Sequence, residues 1–289
     1  MTFAALLTKE LRLRLRRERS IWVIIIYLLV MGLLGFLFLS RQNGYSGDVL
    51  SQVGGQLYIL LSVVQLLLIM FITPAFTSTS INGEKERQTY DLLLCSRLSA
   101  FSLVAGKLVA GLANALLLIA ASIPLFSLVF FFGGVSPQEF AETTLVFVMT
   151  AVVVGTFSLF CSTLLNRPQV STVLSYMFCI IWALVPWLLT LLLAISTPAT
   201  GSGQTAFPFP FLWNPILALV STLPGQSQLV VRAVAGHVAT PWKAYTIISL
   251  IATAILFLLS MWFVKPNPVG RLRSLTRRFV PRKQSTVTA

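Results

Sequence analysis

The sequence predicts an all-α integral membrane protein. Six transmembrane helices are expected. With them come an amino-terminal interfacial helix, a charged amphipathic cytosolic helix between spans two and three, and re-entrant helices before span six. Three observations carry this prediction. Of the 289 residues, 56% are hydrophobic and 10% charged, whereas a soluble globular chain carries about 25% charged residues. Six apolar runs each reach or approach the roughly twenty residues that a helix needs to cross hydrocarbon. The 21 lysines and arginines are shared unevenly among the segments between those runs, and that asymmetry sets orientation.

Residues 1–20 hold Lys9, Arg12, Arg14, Arg16, Arg17 and Arg19. The run LRLRLRR alternates with period two and reads locally as a strand. Phe3, Leu7, Leu11 and Leu15 form a four-residue stripe extending beyond it, so a helix is predicted. Its arginines can lift their guanidinium groups to the headgroups while their stems lie on the acyl boundary. A cleaved signal peptide is the competing reading. The next apolar run, 21–39, is too long for an h-region, and no small-x-small site closes it.

Spans are predicted at 21–39, 57–76, 108–132, 144–165, 170–195 and 244–264. Asn114 and Pro124 in the third and Pro186 in the fifth need neighbouring helices or water to satisfy the backbone groups they free. Gly32 and Gly35 in the first allow close helix approach without forming G-x-x-x-G. One side of the membrane receives the six basic residues of 1–20, four in 82–107, Arg167 and seven in 265–289, eighteen in all. The other receives three, Arg41, Arg232 and Lys243. Both termini are therefore predicted in the cytosol. The basic tail, 265–289, is read as a topology anchor drawn to anionic lipid by ~1 kcal/mol per residue near the surface.

Between spans five and six, 196–243 contains FPFPFLWNPILALVSTLPG, apolar and punctuated by proline, and QLVVRAVAGHV, a second short amphipathic piece. Residues 216–223 are too few to span. Two short helices dipping in from the outer face, or lying on it, are predicted. An aromatic belt anchor built from Phe207, Phe209, Phe211 and Trp213 is the alternative.

The segment 82–107, NGEKERQTYDLLLCSRLSAFSLVAGK, holds three of the eight acidic residues and four of the basic ones. Each charge would cost ~2.5 kcal/mol or more in hydrocarbon, so the segment must emerge into water and return. Tyr90, Leu93, Leu94, Leu98 and Phe101 recur at three- and four-residue steps, with Glu86, Arg87, Asp91 and Arg97 between them, which is an amphipathic helix. Its apolar face rests on lipid and the protein's own spans, or it docks into a partner. Periodicity leaves both open.

Within this segment Glu84-Lys85-Glu86-Arg87, Thr89, Asp91-Leu92-Leu93-Leu94, Ser99 and Gly106-Lys107 resemble the signature of ATP-binding cassette (ABC) permeases of the type-2 exporter class. That family typically carries E-K-E-R/K-G-T-L-E-x-L-L-x-T/S-P-V-S here, with G-K opening the next span, and the segment forms a coupling helix against a separate ATPase subunit. Gln88 stands where the family usually has glycine and Arg97 where it usually has proline. The amino-terminal KE-LRLRLRRERS is similar to the family's approach to span one, and Asn214-Pro215 resembles the N-P turn of its re-entrant helices. The resemblance implies a non-catalytic permease subunit of an exporter in the plasma (bacterial inner) membrane. Its implied partners are two copies of an ABC ATPase subunit, a second permease subunit (the same chain or a paralogue) and membrane lipids. No cofactor is expected on this chain, ATP and magnesium being held by the ATPase. The implied ATPase-coupling residues are Glu84, Lys85, Glu86, Arg87, Thr89, Asp91, Leu92, Leu93, Leu94 and Lys107. Phe211, Trp213, Asn214 and Pro215 are the implied outer gate.

Other functions find no support in the residues. The basic residues flank spans instead of forming a stripe on a folded domain, which argues against nucleic acid. Asp48, Glu139 and Glu142 are expected in outer loops and no acidic residue in a predicted span, which disfavours an ion-driven carrier. His237 has no acid or cysteine beside it in sequence, and Cys95, Cys161 and Cys179 have neither a disulfide framework nor metal-ligand spacing. H-E-x-x-H and G-x-S-x-G do not occur, and the phosphate-loop pattern fails before Gly106-Lys107 because Phe101 replaces its first glycine and Leu108 follows the lysine. The alternative function is an energy-independent channel or a membrane scaffold whose cytosolic helix anchors a partner. Spans rich in Phe, Leu, Ser and Thr, with Gln65 and Asn114 as sparse polar points, suit lipid-linked, drug-like or peptide cargo.

Overall fold

The computed structural model describes residues 18–41, 47–86, 88, 100–196, 212–224, 231–232 and 238–264. The interfacial helix expected over 1–20 is therefore described only at its last residues. The middle of the charged segment, Phe211, His237 and the tail 265–289 lie outside the described residues. In chain order the elements are α1 (Glu18–Ser40), α2 (Gly47–Thr77), α3 (Asn82–Glu86), α4 (Ala100–Phe132), α5 (Pro137–Leu164), α6 (Pro168–Ser196), α7 (Pro215–Val220), β1 (Val231–Arg232), β2 (Val238–Ala239) and α8 (Pro241–Val264). Six of them, α1, α2, α4, α5, α6 and α8, contain stretches long and apolar enough to cross a membrane.

These six helices run alternately, giving the bundle two ends. The near end carries Thr77, Ala100, Leu164, Pro168 and Val264; the far end carries Ser40, Gly47, Phe132, Pro137 and Pro241. Phe160 and Phe263, near the ends of α5 and α8, meet edge to face at 6.0 Å at the near end. Several helices extend beyond their apolar runs: α2 begins at Gly47 instead of 57, α4 at Ala100 instead of 108, α5 at Pro137 instead of 144. Hydropathy marks where hydrocarbon can begin, whereas backbone hydrogen bonding stops only where a cap ends it. At α5 the cap is explicit. Ser136 N donates to Glu139 Oε2 at 2.8 Å, Glu139 N donates to Ser136 Oγ at 3.2 Å, and Pro137 takes the first helical position. Glu139, expected in an outer loop, thus sits in the first turn of a helix, where its negative charge suits the dipole.

Helix α5 is the centre of the bundle, packing against α2, α4, α6, α7 and α8. Its apolar residues are not confined to one face, as suits a helix with neighbours on several sides. Its own Phe147 is fully buried, as are Tyr58, Leu66, Phe126 and Tyr245 on the helices around it. Helix α1 packs on one side, against α2 and α4. Its Trp22, Ile26, Leu29 and Phe36 face outward, as do Leu188 of α6 and Trp262 of α8. In water such faces would drive aggregation, whereas a bilayer covers them at no cost.

Small residues set the approach of α2 to α4 at both ends. A Cβ on Gly54 would overlap the Gly133 carbonyl oxygen and lie 2.9 Å from Phe132 Cβ; one on Gly111 would lie 2.5 Å from Thr77 Cγ2. At Gly54 the obstacle is backbone, so a helix must move. Gly54→Ala is expected to lower stability by roughly 1–3 kcal/mol, read as a lower unfolding midpoint in detergent. Gly32→Ala, which meets nothing within 4 Å, is expected to leave the midpoint unchanged or raise it slightly.

Candidate functional site

The charged segment leaves the bundle at the near end, just after α2 ends at Thr77. Pro74 in its last turns cannot donate a backbone hydrogen bond. The chain then turns through residues 78–81 into the one-turn α3. Ser78, Ser80, Ile81 and Asn82 are buried, so their backbone groups must find partners within the protein. Some are local: Ser78 N donates to Pro74 O at 2.9 Å, Ser80 N to Thr77 O at 3.2 Å and Gly83 N to Thr79 O at 3.1 Å.

The others come from distant helices. Ile81 N and Asn82 N both donate to Ser162 Oγ of α5, at 3.0 and 3.1 Å, and that hydroxyl donates to Asn82 Oδ1 at 3.0 Å. The next residue of α5 contributes its carbonyl, Lys85 Nζ donating to Thr163 O at 2.6 Å. From α6, Ser171 Oγ donates to Ser78 O at 2.9 Å, and Thr172 Oγ1 shares a 2.9 Å hydrogen bond with Ser78 Oγ. From α4, Lys107 Nζ pairs with Glu84 Oε1 at 2.7 Å. The root of the segment is bonded to α4, α5 and α6 at once.

The residues expected to couple to an ATPase divide accordingly. Glu84 meets Lys107 and Lys85 reaches the Thr163 carbonyl of α5, whereas Glu86 is exposed. Arg87, Thr89, Asp91, Leu92, Leu93 and Leu94 lie outside the described residues. Lys107 lies inside α4, with a side chain only 4% exposed, on a face shared with Leu103, Val104 and Gly106. Its charge is tolerated there because Glu84 meets it. The aromatic end of the predicted stripe, Phe101, is an outward residue of α4 in edge-to-face contact with Phe257 at 5.7 Å.

Gln88 has φ 56°, in the left-handed region that glycine occupies freely, and its N–H donates to Lys85 O at 3.2 Å. This is the position at which the resembling family carries glycine. Here a non-glycine residue occupies the left-handed position.

Of the outer-gate candidates, Trp213, Asn214 and Pro215 are described. Asn214 is buried and caps α7: its Oδ1 accepts from Ile216 N at 2.7 Å and Leu217 N at 3.3 Å, with Pro215 at the first helical position. Its Nδ2 donates to Ala183 O of α6 at 3.3 Å, and Trp182 Nε1 donates to Trp213 O at 2.6 Å. Ala183 lies about 22 Å along α6 from Pro168 at 1.5 Å per residue, so these residues pack against the middle of that helix. Thr143 Oγ1 donates to Thr222 Oγ1 at 2.9 Å, fixing the other end of the segment to α5. Phe157, Phe178 and Trp182 stack in series beside it, at 3.8 and 5.5 Å. The second short piece, for which a helix was expected, contains β1 paired antiparallel with β2, Val231 opposite Ala239. Its valines suit extended pairing.

Sequence reasoning did not single out Ser78, Ser162, Ser171 or Thr172. The available signal was their type: small hydroxyl residues in spans are enriched where helices touch. Which hydroxyl meets which helix depends on packing. Two predictions follow from the geometry. Lys107→Met leaves the Glu84 carboxylate without its cation and is expected to cost on the order of 3 kcal/mol, whereas Lys107→Met with Glu84→Met recovers most of the loss in thermal unfolding. Gln88→Gly removes a left-handed penalty of about 1–2 kcal/mol against a smaller entropic loss, so its unfolding midpoint is expected at or above that of the native chain, with Gln88→Val below it.

Residues 48–264 match the family described as ABC-2 family transporter protein. No curated protein matches the chain. The matched residues begin in α2 and run to the last residue of α8, including the α2–α4 connection, the bonded root of the charged segment and the 212–224 segment. A match over three quarters of a chain with six membrane-length helices makes this protein a member of the ABC-2 transporter family, a multi-pass permease component of an ABC transporter.

Proposed function

We propose that the chain is the membrane half of an exporter driven by ATP hydrolysis on a separate subunit. The near end of the bundle faces the cytosol, with both termini on that side, and the membrane is the plasma membrane. The bias of basic residues toward the near end supports this orientation. Two permease subunits, identical or paralogous, pair above two ATPase subunits that hold ATP and magnesium.

The observation that carries the reading is the bonding at the root of the charged segment. A segment held only through its own chain would bend when pushed. One bonded through Ser162, Thr163, Ser171 and Lys107 carries three helices with it. Drive requires that the segment contact the closed ATPase pair differently from the open one. Glu86, exposed on α3, with Arg87, Thr89, Asp91, Leu92, Leu93 and Leu94, makes that contact. Glu84, Lys85 and Lys107 pass the displacement inward. At the other side of the pathway Phe211, Trp213, Asn214 and Pro215 form the closure; Trp213 and Asn214 bond to the middle of α6.

Reconstitution of the chain with its ATPase tests this. Glu86→Lys is expected to weaken association about fivefold, as loss of about 1 kcal/mol would, and to lower substrate-stimulated hydrolysis, with insertion and unfolding midpoint unchanged. An unaltered coupling, or flux that proceeds without ATP, would favour a channel or scaffold instead.

A further inference from the structure

The three bonded helices are not held alike. The link to α4 is an ion pair between two long side chains, and Glu84 is 25% exposed. The link to α5 has two parts: the long Lys85 side chain reaches the Thr163 carbonyl, and the short Ser162 side chain meets the main chain directly. A serine hydroxyl has one proton and two lone pairs, and at Ser162 all are engaged: the lone pairs accept Ile81 N and Asn82 N, and the proton goes to Asn82 Oδ1. Ser162 and Asn82 are both 0% exposed, so the joint is enclosed by protein. Two of its three bonds are to backbone, which fixes the main chain at the start of α3 and not a side chain that can swing. Eighty residues separate Asn82 from Ser162, and α5 is the helix against which most of the bundle packs. Its own cross-links continue toward the far end through Thr150 to Tyr245 of α8 and Thr143 to Thr222.

We propose that Ser162 is a positioning residue that makes α5, and through it the far-end segment 212–224, follow the displacement of the charged segment. The drive then enters the bundle chiefly through a helix remote in sequence, and not only through the flanking α2 and α4. The inference rests on the ATPase-driven reading above.

The test uses the full chain in its complex with the ATPase, reconstituted in liposomes. Cys95 is replaced by serine and the two buried cysteines are left in place. Spin-label pairs are placed at the exposed far-end positions Arg41 and Ala141, reporting on α5, and at Arg41 and Phe131, reporting on α4. In the native chain ATP is expected to shift both distances. In Ser162→Ala the fraction of molecules shifting at 41–141 is expected to fall about fivefold, while the 41–131 shift persists through Lys107 and Glu84; Ser162→Thr, which keeps the hydroxyl, is expected to restore it. Ser162→Cys, which keeps the side-chain size but offers the Ile81 and Asn82 amides a much weaker acceptor, is the second variant should Ser162→Ala not insert, with the same selective loss expected. An undiminished 41–141 shift in these variants overturns the role of Ser162. Equal loss of both shifts also overturns it, by making the effect general destabilisation. No ATP-dependent shift in the native complex overturns the functional reading itself, and this inference with it.

Discussion

Buried backbone N–H groups with no partner in their own helix are the constraint on which the near end is built. Helix α2 stops and α3 begins within a few residues, and the amides of Ile81 and Asn82 lie at that break, enclosed by protein. In a low-dielectric interior each such group left unpaired costs several kcal/mol, far more than an ordinary hydrogen bond contributes net. One hydroxyl on α5 receives both. The charged segment can therefore leave the bundle only along the line that Ser162 permits. The neighbouring bonds from Thr163, Ser171, Thr172 and Lys107 then fall within reach.

The bundle uses its hydroxyls in two distinct ways. Most bond to a carbonyl one turn back in their own helix: Thr150 to Val146, Thr156 to Val152, Ser175 to Ser171, Ser260 to Leu256. These cost little to bury and say nothing about neighbours. Others among the described residues cross between elements, such as Ser162 with Asn82, Ser171 and Thr172 with Ser78, Thr143 with Thr222 and Thr150 with Tyr245. An interhelical hydrogen bond in a membrane averages only about 0.6 kcal/mol, so these cross-links do not hold the bundle together. Close packing does, at places such as Gly111 on Thr77 and Gly155 on Leu112. What the cross-links add is direction, since each fixes which point on one helix moves with which point on another.

Particular residues show where sequence reasoning reached and where it stopped. The apolar runs, the density of charge in 82–107 and the asymmetry of lysine and arginine all reflect transfer from water to hydrocarbon, a property of each residue alone. Helix ends depended on capping, and the S-P-Q-E run at 136–139 was a local signal that hydropathy overrode. Gln88 was visible as a departure from a glycine position, and its φ of 56° gives the reason glycine is usual there. Lys107 reads in the sequence only as the last charge before an apolar run, with nothing to say that it is buried. It is buried because Glu84, which the chain brings back after a turn, neutralises it.

From the amino-acid order alone came the class of protein, the number of membrane-length helices and the segment most unlike its surroundings, because partitioning between water and hydrocarbon sums over individual residues. Tertiary structure decided that α5 lies at the centre, that a serine far along the chain receives the break between α2 and α3, and that Asn214 anchors the 212–224 segment against the middle of α6. Those are pairings between groups distant in sequence. A hydroxyl in a helix reads the same whether its proton goes to its own helix or to another, and only packing settles which.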